Sequence, residues 1–146
     1  MAATAVICLG NRYVPGDDVG CRVYDKLVDP LAAFPVPPDV EIVDGGLCGL
    51  DLLSLVEGKR RVVFADALAG LAAPGEIVVL SREQVADYAG RYGHGAGLPY
   101  LLHLLPQVCK PPLPEIALVG AEGDVNAETV GILAQRCMEI AIHGTP

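Results

Sequence analysis

The strongest constraint on this chain is a set of five short apolar runs, at residues 4–9, 40–43, 61–65, 76–80 and 115–119, bounded by glycine and acidic residues. Successive side chains of a strand point to opposite faces, so a strand with one wet face alternates apolar and polar residues. Runs such as Val62-Val63-Phe64-Ala65 do not alternate. They fit strands buried on both faces, as in a parallel sheet flanked by helices. The predicted architecture is α/β, a single domain over residues 1–146 with a mostly parallel five-stranded sheet and helices on both faces.

The segments between the runs carry helical patterns. Residues 18–31 space Val19, Val23, Leu27 and Leu31 four apart, one stripe for the sheet, and leave Arg22, Asp25 and Lys26 in water. Asp17 or Asp18 is placed to cap that helix. A short helix over residues 48–56 ends at Gly58, which can take the left-handed conformation. Ser81-Arg82-Glu83-Gln84 has capping-box spacing and opens a third helix that fades near Gly90. Further helices are expected over residues 98–108 and after Asn126, the last with Val130, Leu133, Ala134, Cys137, Ile140 and Ala141 on one face. The proline-rich stretches 34–38 and 111–114 are too short to link domains and read as extended connectors.

Composition narrows the partners. Hydrophobic residues make up 52% and charged residues 19%, enough apolar surface to offset the entropy of ordering. A net charge of -8 with only 10 Lys and Arg opposes binding to a nucleic-acid backbone or an anionic membrane surface. Cys8, Cys21, Cys48, Cys109 and Cys137 form no CxxC pair and read as reduced core thiols. The apolar start has no basic region before it and runs into a Gly-Asn turn, so it is expected to be a strand and not a signal peptide. No apolar stretch approaches the roughly 20 residues of a membrane-spanning helix, so no membrane insertion is expected. The expected location is cytoplasmic.

Ligands of open parallel sheets bind beyond the carboxyl ends of the strands. Three acidic loops share that edge: residues 10–18 after the first run, Asp44-Gly45-Gly46 after the second, and Asp66 at the end of the third. His94, between Gly93 and Gly95, adds an imidazole. Two carboxylates and an imidazole suit zinc, nickel, iron or manganese, although no local motif such as HExxH ties them together. Taken alone, Asp17 or Asp18 is more often a cap, Asp66 more often a hydrogen-bonded loop residue, and His94 an idle one. Asp44-Gly45-Gly46 is equally a tight turn. Ser54 and Ser81, the only serines, lie on helical patterns, which makes an acyl-enzyme improbable. A phosphate site is disfavoured, because neither GxGxxG nor GxxxxGK[ST] occurs and Asp17-Asp18 would repel the anion.

Leu9-Gly10-Asn11 with its acidic turn and Gly20, Asp44-Gly45-Gly46, Ala65-Asp66-Ala67, His94-Gly95-Ala96-Gly97-Leu98 and Leu118-Val119-Gly120 resemble, in order, the hydrogenase maturation protease family. The resemblance implies a nickel-dependent endopeptidase of aspartate/metal type that removes the C-terminal extension of a nickel-iron hydrogenase large-subunit precursor after metal loading. The precursor supplies the nickel, and another divalent metal can occupy the site in isolation. Carried over by position, the metal-contacting and catalytic residues are Asp17, Asp66 and His94, and Asp44, Gly45 and Gly46 bind substrate. Gly16 stands where the family has the first of two adjacent acids, and a slip of one position would make Asp18 the ligand in place of Asp17. Tyr13 replaces the usual aliphatic residue. A noncatalytic metal-sensing scaffold or metallochaperone of the same fold is the alternative.

Overall fold

A computed structural model describes residues 3–32, 34–47, 50–68, 72–87 and 98–145. The strands are β1 (Thr4–Leu9), β2 (Val40–Gly46), β3 (Arg61–Leu68), β4 (Ile77–Ser81) and β5 (Glu115–Glu122). The helices are α1 (Val19–Val28), α2 (Leu53–Val56, preceded by a 3-10 turn at Leu50–Leu52), α3 (Arg82–Asp87), α4 (Leu98–Val108) and α5 (Ala127–His143). One five-stranded sheet runs in the order β2-β1-β3-β5-β4. Its first three pairings are parallel and only β4 runs antiparallel, against β5.

Alternate residues of each strand enter different cores, which is why the apolar runs do not alternate with polar residues. Val6 and Cys8 pack with Val19, Val23 and Leu27 of α1 and with the buried stripe of α5. Ala5, Ile7 and Leu9 pack on the other face with Val56, Val85 and the leucines of α4. Local signals act where expected. Ser81 and Gln84 exchange hydrogen bonds, Gln84 N–H to Ser81 Oγ at 3.2 Å and Ser81 N–H to Gln84 Oε1 at 2.8 Å. Asn126 caps α5 by accepting from Thr129 N–H at 2.8 Å.

Several boundaries differ from the sequence expectation: β2 runs on to Gly46, so Asp44-Gly45-Gly46 ends the strand and is not a loop leaving it, and β5 runs on to Glu122. Pairing of β1 with β3 stops at Cys8 and Ala65, yet β3 and β5 continue together to Leu68 and Glu122. Asp66 therefore lies within a strand, opposite Gly120, and not in a loop leaving it. The first helix ends at Val28, because Pro30 disfavours the helical conformation at Asp29, which turns extended. Leu31, expected on the sheet-facing stripe, is 92% exposed. Arg22, expected in water, is partly buried and donates to Val125 O at 2.6 Å, tying α1 to the turn before α5.

The start of α1 sits tightly against the carboxyl ends of β1 and β3. A Cβ on Gly20 would overlap Leu9 O and come within 2.5 Å of Ala65 O. Those neighbours are backbone of buried strands, so they cannot yield as a flexible side chain would. Gly20→Ala is expected to destabilise the protein by about 2 kcal/mol or more. Gly131→Ala, on α5 in open space, should stabilise it by up to about 1 kcal/mol through helix propensity. Urea unfolding of the two variants beside the parent checks the contrast.

Candidate active site

The segment from Gly10 to Asp18 is closed by its own backbone. Asn11 N–H donates to Asp17 O at 2.9 Å, Val14 N–H to Asn11 O at 3.2 Å and Asp17 N–H to Val14 O at 3.0 Å. The Asn11 side chain also accepts from Tyr13 N–H at 3.0 Å, an Asx turn. The first of these bonds lays the Asp17 carbonyl across Gly10, where a Cβ would collide with it. Gly10 has φ +144°, a conformation that side chains disfavour. Gly10 thus fixes where Asp17 stands. At Gly16, with φ +83°, the loop closes in a left-handed conformation that a residue with a side chain would strain.

Asp66 emerges on β3 just beyond the end of its pairing with β1. Part of the residue reaches the surface, but the carboxyl is enclosed, and burial pushes its pKa up to about 7. The bond that Asp66 Oδ1 accepts from Ala67 N–H, at 2.8 Å, opposes this. The Asp17 carboxylate adds to the rise. Asp17 thus lies near enough for its charge to act on Asp66, as the smallest of the three influences there.

Asp18 takes the N-cap position of α1, but its side chain makes no capping bond, contrary to the role expected of either acid. Its Oδ1 is buried without a hydrogen-bond partner among the described residues. An enclosed carboxyl beside a like charge and an orphaned carboxylate oxygen both fit a cation, and hard oxygen donors suit a divalent metal. Among the described residues no group of three His, Cys, Asp or Glu could hold a metal ion. His94, the expected third member, lies outside the described residues, as does Cys48.

Asp44-Gly45-Gly46 closes β2, with an irregular register where Leu9 pairs with Gly46. Asp44 is exposed and accepts from Gly46 N–H at 3.2 Å. Gly10 N–H donates to Gly46 O at 2.9 Å, so the two loops share a base. Gly45 is buried, and its Cβ position is filled by Leu9 and Ile7, so it serves packing in this arrangement. Sequence reasoning missed Arg12. Its guanidinium forks onto Asp25 at 2.7 and 3.2 Å and stands 3.8 Å from Asp44 Oδ2, bracing the first loop against α1 and β2. Being the only cation in that loop was the available signal.

Other nucleophiles are poorly placed. Burial holds the Cys8 and Cys21 thiols above their ordinary range and pushes Cys137 up to about 12, so neutral thiols pack the core beneath the loop. Ser54 bonds the carbonyl of Asp51, and Ser81 caps α3. His103 and His143 are exposed on their helices.

The raised pKa of Asp66 gives a stability signature. Between pH of about 4 and 7 the folded chain holds a proton that the unfolded chain has released, so this residue favours folding at low pH and opposes it as pH rises through 7. Asp66→Asn, which keeps the Ala67 bond, is expected to gain on the order of 2 kcal/mol over the parent at pH 8 and nothing at pH 4. Urea midpoints at the two pH values measure it.

The chain is 31% identical over 81 residues to the Hydrogenase 2 maturation protease of Escherichia coli, covering 55% of this chain and 48% of that protein. It is 26% identical over 138 residues to the hydrogenase expression/formation protein HoxM of Cupriavidus necator, covering 92% of this chain and 66% of that protein. The chain thus spans about half to two thirds of the length of these relatives. The fold matches the hydrogenase maturating endopeptidase HybD from E. coli with a TM-score of 0.70, at 24% identity over 95% of this chain and 88% of that one. Residues 24–143 match the profile of the hydrogenase maturation proteases, a span that includes Asp44 and Asp66 and begins after Asp17. With residues 24–143, most of its length, matched, the chain belongs to the hydrogenase maturation protease family.

Proposed function

We propose that the protein is an endopeptidase that removes the C-terminal extension of a nickel-iron hydrogenase large-subunit precursor once nickel has been loaded. The observation that carries this reading is the enclosed carboxyl of Asp66, held near pKa 7 chiefly by burial and further raised by the charge of Asp17, an acid from a separate segment. Such a pair is costly without a cation and relieved by one. The nickel belongs to the precursor as cargo, and a bound divalent ion supplies polarisation of a carbonyl. Asp17 and Asp66 are the oxygen donors that would read it, with His94 as the nitrogen donor. Asp18 raises the Cys21 thiol but is not among the charges acting on Asp66, which favours Asp17 as the partner acid. Asp44 and Gly46 form the rim against which the precursor's extension lies, and Gly45 shapes it from below.

The family resemblance, and the raised pKa of each cysteine among the described residues, both support metal-assisted cleavage over a thiol nucleophile. No described helix is long and apolar enough to cross a membrane. The free thiols Cys8, Cys21, Cys109 and Cys137 suit the reducing cytoplasm, where the protein is proposed to act. Gly16 in place of an acid supports a second reading, a noncatalytic scaffold that senses the metal.

The test is incubation with nickel-loaded and nickel-free precursor, followed by mass spectrometry. Loss of a C-terminal peptide from the loaded form alone is expected. Tight binding without cleavage would favour the scaffold, and neither binding nor cleavage would reject both readings. Asp17→Asn is expected to slow cleavage by roughly a hundredfold, and Asp18→Asn by roughly tenfold or less. Equal effects from the two variants would contradict the assignment of Asp17.

A further inference from the structure

The sheet has two outer edges, and one of them leads into the site. β2 pairs only with β1, and among the described residues no other backbone group bonds its far side between Glu41 and Asp44. Among the described residues that side presents a row of N–H and C=O groups with no backbone partner, a template for an added strand. β2 ends in Asp44-Gly45-Gly46, whose last carbonyl is bonded to Gly10. A chain laid along β2 is therefore delivered to the loop that carries Asp17.

The other edge offers no such path. β4 runs antiparallel at the opposite side of the sheet, separated from β1 by β3 and β5, so a chain laid along it is not led to the Asp17 loop.

Two apolar side chains mark the same end of β2. Tyr13 is 89% exposed and Leu47 is 71% exposed. Tyr13 is not on a frayed segment, because its own N–H is held by Asn11 Oδ1 in a loop closed by three backbone bonds. An exposed tyrosine whose backbone is held in a closed loop beside a strand edge is the kind of anchor that binding surfaces use, offering a large contact area. Arg12 holds the loop bearing Tyr13 close to Asp44, so Tyr13 and Leu47 rise from neighbouring loops.

We propose that β2's outer edge, with Tyr13 and Leu47 at its end, takes the precursor segment next to the cleaved bond as a sixth, extended strand. The occupant follows from the proposed cleavage reaction, on which this inference rests: the segment must pass the Asp17 loop in extended form, and β2 is the open edge that ends there. Main-chain bonds would give register without demanding sequence, and the two apolar side chains would grip one end.

Amide hydrogen exchange, resolved by residue, on the protein alone and with nickel-loaded precursor is the test. Slowed exchange of alternate amides in β2 is expected, with β4 unchanged. Protection on β4, or none on β2 while the precursor is cleaved, overturns the docking and leaves the proposed function standing. Protection on β2 without cleavage supports the docking and counts against the proposed function. Absence of both protection and cleavage overturns the docking on this partner. The double variant Tyr13→Ser/Leu47→Ser, altered only at exposed positions, is expected to raise KM by roughly tenfold with kcat little changed. An unchanged KM would reject the grip.

Discussion

The placement of Asp17 and Asp66 at one end of the sheet depends on backbone contacts that neither carboxylate makes. Gly20 lets the first turn of α1 press onto the carbonyls of Leu9 and Ala65, and Gly10 lets the Asp17 carbonyl lie across the end of β1. Once these contacts form, Asp17 has little freedom, and Asp66 follows from the register of β3 with β5. The electrostatic strain of an enclosed carboxyl beside another acid is thus held in place by close packing. A site of this kind is destabilising in the empty protein, and the rest of the fold must over-determine its geometry. Two apolar cores on opposite faces of the sheet supply that rigidity.

Much of the architecture was legible because local and global signals agree. The unbroken apolar runs gave the buried strands, Ser81 with Gln84 gave a capping box that forms in full, and Asn126 gave the start of α5. Strand ends were less legible, because pairing partners set them: β3 runs past Asp66 only since β5 runs beside it. Leu31 fits the helical period but falls beyond Pro30, and the proline prevails over periodicity.

The site was legible as residue types and not as geometry. Asp17, Asp66 and the Asp44-Gly45-Gly46 turn stood out from their strand-end placement and from the family resemblance, yet nothing in the sequence separates Asp17 from Asp18. In the fold the two differ: the Asp17 charge acts on Asp66, while Asp18 leaves an oxygen unpartnered at the head of α1. The role of Gly45 in packing and that of Arg12 in bracing the loop rest on contacts between segments far apart in the chain. Periodicity and spacing carry no trace of such contacts. The same bracing puts Tyr13 beside the end of β2, so the residues proposed to read the metal and those proposed to grip the substrate share one framework.

The most direct measurement of this framework is the titration of the Asp66 carboxyl carbon by NMR, in the parent and in Asp17→Asn. The account predicts a midpoint near 7 in the parent and a lower one once the neighbouring charge is gone. A midpoint in the ordinary carboxylate range, unmoved by the substitution, would contradict the pairing on which the site is built.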